Sequence, residues 1–363
     1  MKSLALVPGL AALPKFSQAS APDRSQADAP IPSEAQKKWM DLGFGMFIHF
    51  SINTFNDMEW SDGTLDPKTY NPTRIDTDQW CASAKAAGMK YIVLVTKHHD
   101  GFCNWPTAYT DYSVKSTPFG KDTVRMVVDS ARKHGLQVGF YYSLWDRHEK
   151  SHDTNEVAYV VFMKNQLKEL LTNYGPIVEL WFDGMWKKQS SGWKLKGETD
   201  QKVAGTRMMD AWRNQGAYRW QMDSLYQFIK TLQPDCMVMN NATTEYPGLP
   251  LFPCDIRSGE RATDTAQDPK IWKWLGQDTY LPLQIETTMS RSSKDKMFAS
   301  GSWFWHKDDK TVVTVQQIEE WLLKAKELQA NLLLNVGPSN EGLLRKEDVD
   351  TLKALGKKRG IKG

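Results

Sequence analysis

Eight short apolar runs, separated by amphipathic helical patterns, limit the folds open to this chain more than any other feature. In chain order they are GFGMFIHF (43–50), YIVLV (91–95), QVGFYYS (137–143), IVELWFD (177–183), MVMNN (237–241), CDIRS (254–258), LPLQIETT (281–288) and ANLLLNVGP (330–338). Most of them are continuously apolar rather than alternating, which is typical of parallel strands buried on both faces. Each is therefore predicted to be a strand.

The alternation of strands and helices favours βαβ units and a parallel sheet. Eight such units predict a closed (β/α)₈ barrel of the TIM type, less regular in its second half. The chain has 363 residues, a length that fits either one large barrel or two ordinary domains. A doubly wound open sheet is the alternative, but no GxGxxG or GxxxxGK[ST] turn follows any run.

The N-terminus differs in composition from the rest of the chain. The stretch MKSLALVPGLAAL followed by SQASA resembles a secretory signal peptide, and APDRSQADAPIP is typical of a linker. We therefore expect an unstructured leader over residues 1–30, a catalytic barrel over residues 31–363, and a secreted or periplasmic protein. No run reaches the roughly 18 apolar residues of a membrane-spanning helix.

Overall charge and cysteine content exclude some classes of partner. The formal net charge of +3 is too small to indicate a nucleic-acid or membrane partner. The four cysteines show no CxxC spacing, so they are expected to be free thiols. The chain also has 15 Trp, and Trp side chains at strand ends suit saccharide binding because flat rings pack on apolar sugar faces.

Polar and aromatic side chains follow nearly every run, where a barrel places its catalytic residues. In chain order they are His49; His98, His99 and Asp100; Tyr142, Trp145, Asp146 and His148; Trp181 and Asp183; Asn240 and Asn241; Arg257 and Glu260; Glu286; and Asn335. Together they predict an active-site mouth.

The adjacent histidines in KHHDGF allow two interpretations. They could hold a metal ion only if the backbone turns there, because neighbouring residues of a strand face opposite sides. No HxH or HExxH spacing and no cysteine cluster supports a metal. The favoured interpretation is that His98, His99 and His49 bind sugar hydroxyls, with no cofactor.

Carboxylates carry the predicted chemistry. Glycoside hydrolysis needs one carboxyl group as nucleophile or base and another as general acid. Asp183 ends a buried run, and Glu260 follows the sixth run. Glu286 and Glu245 compete with Glu260 for the second role, and the residues alone do not rank Glu260 above Glu286.

The chain resembles glycoside hydrolase family 29, the retaining α-L-fucosidases, from about Trp39 to Pro338. The resemblance rests on seven motifs in the family's order, which are GMFIHF, EWSDG, TKHHDGF, GFYYSLWD, ELWFDG, CDIRSGE and NLLLNVGP. It implies a double-displacement mechanism acting on a fucosylated oligosaccharide or glycoconjugate.

The resemblance also implies roles for individual residues. Asp183 matches the nucleophile, and Glu260 matches the general acid/base, with Glu286 as the fallback. The residues that match substrate contacts are His49, Glu59, Trp60, His98, His99, Tyr142, Trp181 and Arg257.

Two departures from the family pattern bear on substrate preference. Many relatives carry a β-sandwich after the barrel, which is not expected here, and the stretch from Lys187 to Trp220 is predicted to be a long loop on the active face. The alternatives are an α-L-galactosidase of the same family, a catalytically silent carbohydrate-binding barrel and a metal-dependent barrel hydrolase.

Overall fold

The computed structural model describes residues 30–184, 220–241, 253–261, 263, 270–274, 277–292 and 301–361. Eight parallel strands in these ranges close into a barrel, and every run predicted to be a strand overlaps one of them. The barrel strands are β1 (Phe44–Ile48), β2 (Tyr91–Lys97), β3 (Gln137–Ser143), β4 (Glu179–Asp183), β5 (Met237–Asn240), β6 (Ile256–Glu260), β9 (Leu283–Thr288) and β10 (Asn331–Asn335). The predicted (β/α)₈ architecture is confirmed.

Barrel closure is sequential. Each strand pairs with the next barrel strand along the chain, and β10 returns to pair with β1 in the register Phe44↔Leu332. Between β6 and β9 the chain forms an antiparallel hairpin of β7 (Ile271–Trp274) and β8 (Gln277–Tyr280). The sequence patterns did not predict this hairpin.

Helices follow most of the strands, as the 3.6-residue pattern predicts. They are α1 (Glu34–Met40), α2 (Ile52–Phe55), α3 (Thr77–Ala86), α4 (Thr123–Lys133), α5 (Ser151–Thr154), α6 (Glu156–Asn173), α7 (Met222–Leu232), α8 (Val315–Glu327) and α9 (Lys346–Lys358). Short 3₁₀ turns cover Pro67–Thr69 and Val114–Ser116.

Side-chain caps begin several of these helices. The side chains of Asp76, Asp122 and Asn155 accept hydrogen bonds from backbone N–H groups in the first turns of α3, α4 and α6. Thr314 and Gln317 form a capping box at the start of α8. No helix in the described ranges is both long enough and apolar enough to cross a membrane.

Two apolar layers hold the barrel together, one inside the strands and one between strands and helices. In β10, Leu333 belongs to the inner layer with Phe47 and Val93, whereas Leu332 and Leu334 belong to the outer layer. Alternation therefore persists inside a continuously apolar run. Burying each such side chain contributes about 1.5–3 kcal/mol to stability.

The pairing register of strand β2 is irregular just before the mouth. Its register with β3 shifts between Val95 and Lys97, so that Val95 pairs with Tyr141 and Lys97 pairs with Tyr142. A bulge changes the direction of the side chains that follow it. This allows the backbone after Lys97 to turn and bring both His98 and His99 to the mouth.

A buried carboxyl group lies at the end of the barrel opposite the mouth. Glu179, the first residue of β4, accepts hydrogen bonds at Oε2 from Trp39 Nε1 and Gln284 Nε2, both at 2.9 Å. Burial raises the pKa of Glu179 to about 7. The position at the N-terminal face indicates a role in stability rather than catalysis.

Candidate active site

The carboxyl ends of the strands bring most of the predicted residues to one face. His49 follows β1, His98 and His99 follow β2, and Asp183 and Glu260 are the last residues of β4 and β6. Inward-facing residues alternate along a strand, so Trp181 lies on the same side of β4 as Asp183. Trp181 belongs to the inner apolar layer directly below them.

The Asp183 carboxyl group accepts several hydrogen bonds at the mouth. Its Oδ2 accepts a hydrogen bond from the Tyr141 hydroxyl at 2.9 Å, and its Oδ1 accepts from the Gly184 N–H at 2.8 Å. The side chain is 15% exposed. Burial, and then the charge of Glu260, raise the pKa of Asp183 to about 7, while the hydrogen bonds from Asn241, Tyr141 and Gly184 oppose the rise.

Asn241 joins the two predicted catalytic carboxyl groups. Its Nδ2 donates to Asp183 Oδ1 at 3.2 Å and to Glu260 Oε2 at 2.7 Å. The two oxygens therefore lie no further apart than the sum of those distances. These oxygens are therefore closer than the roughly 6.5 Å that is the shortest separation of the two carboxyl groups in inverting enzymes. Their distance is compatible with the roughly 5–5.5 Å between the carboxyl groups of retaining enzymes.

Glu260 is more open than the groups around it. Its side chain is 28% exposed, and Arg261 Nε lies 3.7 Å from its Oε1. The Arg261 guanidinium also packs 4.8 Å from the Trp303 ring centroid, and its Nη2 donates to the Gly301 carbonyl. Glu260 therefore lies beside a positive charge and is exposed enough for a ligand in the mouth to contact it.

Glu286 lies deeper than Glu260. It is fully buried in β9, paired in register with Glu260 of β6. Its Oε2 accepts from Gly259 N–H at 3.1 Å, and Trp181 Nε1 lies 3.4 Å from its Oε1. Burial, followed by the charges of Glu260 and Glu179, raises the pKa of Glu286 well above its usual range.

The protonation state of His49 follows from a chain of hydrogen bonds. Asn335 Nδ2 donates to the Trp303 carbonyl at 2.7 Å, so its Oδ1 faces His49 Nδ1, also at 2.7 Å. Because burial lowers the pKa of His49 to about 3, the ring is neutral and carries its proton on Nδ1. Its Nε2 is therefore a hydrogen-bond acceptor.

His98 and His99 lie side by side above β2, with ring centroids 4.2 Å apart. Ser143 uses its hydroxyl hydrogen on the Trp145 carbonyl, so His99 Nδ1 is the donor in the 2.7 Å contact to Ser143 Oγ. His99 Nε2 then lies 3.5 Å from Asp183 Oδ2. Burial, more than neighbouring positive charge, holds the pKa of both histidines well below the usual range.

Glu59 and Trp60 have different positions although they are adjacent. Glu59 is buried and accepts the backbone N–H groups of Trp303 and Phe304 at 3.0 and 3.1 Å. It also contacts His306 Nε2 at 2.8 Å. Glu59 therefore anchors the segment that carries Trp303, whereas Trp60 packs edge-on against His99 at the mouth.

Tyr142, predicted as a substrate contact, is not at the mouth. Its hydroxyl accepts from Lys97 Nζ at 3.0 Å and donates to Gln166 of α6 at 2.7 Å, outside the barrel. Tyr141 faces inward instead, stacked on Trp181 with ring centroids 5.2 Å apart. The prediction was off by one residue, because adjacent side chains of a strand face opposite sides.

Arg257 requires the same correction. Its neighbours Ile256 and Ser258 face into the barrel, and the Arg257 guanidinium packs outside on the Trp272 ring, 4.9 Å from its centroid. Arg261 is the arginine beside Glu260. The predicted contact of Arg257 with a bound sugar therefore does not fit its position.

Several residues of the site were missed in the sequence. The most important are Tyr141, Arg261, Trp303 and His306, while Asn241 was placed at the mouth without a role. Strict alternation counted back from Asp183 and across to β3 would have favoured Tyr141. The aromatic stretch GSWFWH (301–306) follows the seventh barrel strand and was a signal for Trp303 and His306.

Some predicted features lie outside the described residues. These are residues 1–29 of the leader, Glu245 and all of the predicted loop except Trp220. Trp220 is buried against His152 and Tyr159. Within the ranges given above, no group of three or more His, Cys, Asp or Glu side chains is arranged to hold a metal ion.

Two carboxyl groups this close together at the carboxyl ends of barrel strands are what glycoside hydrolysis requires, so fold and site define a protein of the glycoside-hydrolase class. Residues 56–361 match the family model described as Alpha-L-fucosidase. The chain belongs to this family, glycoside hydrolase family 29.

Individual relatives agree with this placement. The chain is 31% identical over 339 residues to Alpha-L-fucosidase 1 of Arabidopsis thaliana, a match that covers 89% of this chain and 59% of the plant protein. A glycoside hydrolase 29 family member from an unknown rumen bacterium superimposes with a TM-score of 0.73 at 30% identity, over 92% of this chain and 57% of that one.

A further solved structure is alpha-L-fucosidase isoenzyme 1 from Paenibacillus thiaminolyticus. It has a TM-score of 0.67 at 28% identity and covers 90% of this chain and 75% of that one. This chain thus spans less than two thirds of the plant and rumen relatives.

Proposed function

We propose that this protein is a retaining exo-glycosidase that releases terminal α-L-fucosyl residues from glycans. Family membership supports the substrate class. The single observation that carries the mechanism is the contact of one Asn241 nitrogen with both Asp183 and Glu260. It brings one oxygen of each carboxyl group closer together than the carboxyl groups of inverting pairs, which supports a retaining mechanism.

The first step forms a covalent intermediate. Ionised Asp183 attacks the anomeric carbon of the fucosyl residue while protonated Glu260 gives its proton to the departing glycosidic oxygen. The C–O bond to the aglycone breaks with its electron pair, and a β-linked fucosyl ester forms on Asp183. The aglycone leaves as a neutral alcohol.

The second step regenerates the protein. Glu260, now ionised, accepts a proton from a water molecule, whose oxygen attacks the anomeric carbon and displaces Asp183. The product has the α configuration again because the centre is inverted twice. Asp183 is once more ionised and Glu260 protonated.

The electrostatics of the pair suit this cycle. The Glu260 charge is one of the causes that raise the pKa of Asp183. When Glu260 carries the proton, that cause is absent and Asp183 ionises more easily. The proposed cycle therefore begins with the proton on Glu260 and with Asp183 ionised.

Histidine nitrogens at the mouth can accept hydrogen bonds from the substrate hydroxyls. His49 presents a neutral Nε2, and His99 presents Nε2 beside Asp183. Trp60, Trp181 and Tyr141 supply apolar faces for the ring and its methyl group. Neutral imidazoles accept hydroxyl hydrogens without placing positive charge beside the developing oxocarbenium ion.

The test is hydrolysis of aryl α-L-fucoside followed by NMR as the product forms. Appearance of the α anomer before mutarotation supports a retaining fucosidase, and initial β product would exclude the retaining mechanism. Aryl α-L-galactoside, assayed beside it, separates the α-L-galactosidase alternative. Binding of fucose without turnover of either substrate would favour the catalytically silent barrel.

We also propose that the protein acts outside the cytoplasm, in the periplasm or after secretion. The observation that supports this is the leader-like pattern of the first 30 residues. Fractionation of the producing cells with N-terminal sequencing of the mature protein tests it. Cytoplasmic protein that retains Met1 would contradict the proposal.

A further inference from the structure

A continuous chain of hydrogen bonds runs from Glu286 to the two carboxyl groups at the mouth. Ser258 Oγ lies 3.2 Å from Glu286 Oε2 and 2.8 Å from Asn241 Oδ1. Asn241 Nδ2 continues the chain to Asp183 and Glu260. Ser258, Glu286 and Trp181 are buried, so bulk water does not complete these contacts.

The direction of each hydrogen bond follows from counting the donors and acceptors of each group. An ionised Asp183 accepts only, so the Asn241 amide presents its nitrogen to the carboxyl pair and its oxygen to Ser258. Ser258 has a single hydroxyl hydrogen, and the shorter contact assigns it to Asn241 Oδ1. Ser258 Oγ then has only lone pairs to offer Glu286.

If Glu286 were ionised, its negatively charged Oε2 would face the lone pairs of Ser258 Oγ at 3.2 Å. A protonated Glu286 instead donates to Ser258 Oγ, while its oxygens still accept from Gly259 N–H and Trp181 Nε1. With the Ser258 hydrogen directed at Asn241 Oδ1, only the protonated form of Glu286 is a compatible partner for the lone pairs of Ser258 Oγ.

We propose that Glu286 is a positioning residue, held as a neutral carboxylic acid, that acts through Ser258 to keep the Asn241 amide turned toward Asp183 and Glu260. The proposal rests on the proposed function only for its effect on turnover. It removes Glu286 as the general acid, because its proton is directed at Ser258 rather than into the mouth.

The charged groups around Glu286 favour the neutral form. Glu260 beside it on β6 and Glu179 below it on β4 both disfavour a second negative charge, as does burial. Arg257 is the opposing charge, and its own guanidinium is directed outside the barrel onto Trp272. A neutral Glu286 also avoids adding negative charge behind a nucleophile that must itself ionise.

The test compares Glu286→Leu with Glu286→Gln on an aryl α-L-fucoside. Leucine cannot donate to Ser258, so kcat is expected to fall by about tenfold or more with little change in KM. The acid limb of the pH profile should move to higher pH by about half to one pH unit, because Asp183 loses an oriented amide donor. Glutamine can donate to Ser258 from its NH₂ group, although that nitrogen cannot accept from the Gly259 N–H as Oε2 does, so its kcat should lie well above that of Glu286→Leu and the acid limb should return toward its wild-type pH.

An infrared difference spectrum between wild type and Glu286→Gln at pH 7 tests the proton itself. The C=O stretch of a protonated carboxyl group, distinct from that of a carboxylate, is expected in the wild type only. A carboxylate band instead would overturn the proposal, whatever the kinetics show. Loss of activity by orders of magnitude in Glu286→Gln would overturn it too, since Glu286 would then be acting as acid or base.

The two arms separate this proposal from the proposed function. If the wild type does not hydrolyse fucosides, the proposed function fails, while the infrared band still decides the state of Glu286. If Glu286→Leu does not fold, Glu286→Gln and the spectrum remain decisive.

Discussion

The Tyr141 hydroxyl donates a 2.9 Å hydrogen bond to Asp183 Oδ2, although Tyr141 is paired in register with Trp181 rather than with Asp183. The phenol reaches two residues along the neighbouring strand toward the mouth. Its ring stacks on Trp181, which fixes its direction. The orientation of the proposed nucleophile therefore depends on a residue one layer below it.

Replacing Tyr141 with Phe is expected to reduce kcat/KM by about ten- to a hundredfold, the effect of losing a hydrogen bond to a charged group. The acid limb should move to higher pH, because the lost donor had lowered the pKa of Asp183. Tyr142→Phe, the next residue along β3, is the matched control and should leave the limb in place. Equal shifts in both variants would contradict the inward and outward assignment.

Replacing Asp183 with Ala should lower turnover of an aryl fucoside by several orders of magnitude, because no covalent intermediate can form. Added azide should restore part of the activity and yield the β-fucosyl azide, identified by NMR. Near-normal turnover of the variant would remove Asp183 as nucleophile.

Glu260→Ala should affect substrates according to their leaving groups. A natural oligosaccharide needs a proton on its departing oxygen, whereas a dinitrophenyl leaving group hardly does. The variant should keep much of its first-step rate on the activated substrate and lose it on the oligosaccharide. Glu286→Ala is the control, and we expect it to slow both substrates alike. The reverse pattern would move the general acid to Glu286.

Incubation with EDTA followed by gel filtration should leave the activity unchanged. The His49 and His99 rings are held at Nδ1 by Asn335 and Ser143, and we assign their Nε2 atoms to sugar hydroxyls. Activity that disappears with the chelator and returns with zinc would support the metal-dependent alternative.

Glu179→Gln should change how stability depends on pH. Burial raises the pKa of Glu179 from 4.5 to about 7, so the folded state binds a proton that the unfolded state releases between those values. Wild-type stability from this group is therefore full below about pH 4.5 and declines as pH rises to 7. The neutral variant lacks the decline and should gain about 2–3 kcal/mol on the wild type between pH 5 and pH 8.

Urea unfolding at the two pH values measures this difference. Glu341→Gln, an exposed carboxylate paired with Arg74, is the control and should track the wild type. A constant difference between Glu179→Gln and wild type across the range would mean that Glu179 is not protonated in the fold.

The sequence by itself determined the barrel and the strand ends that form its mouth. Eight apolar runs became eight strands because burial on both faces demands continuous apolar character, a property visible locally. His49, His98, His99 and Asp183 were placed at the mouth for the same reason, since each lies at the end of a run or a few residues after it.

Only the tertiary structure decided which neighbours share the site. Tyr141 rather than Tyr142 depends on which way a strand faces, and a one-residue error reverses every side chain. Arg261 rather than Arg257 depends on the turn that follows β6, because Arg261 lies past the end of that strand with a φ of 60°. The proposal of Glu260 rather than Glu286 as the acid gains support from Asn241, which contacts both Asp183 and Glu260. The anchoring role of Glu59 likewise depends on Trp303 and His306, more than 240 residues away, whose contacts leave no mark in local sequence.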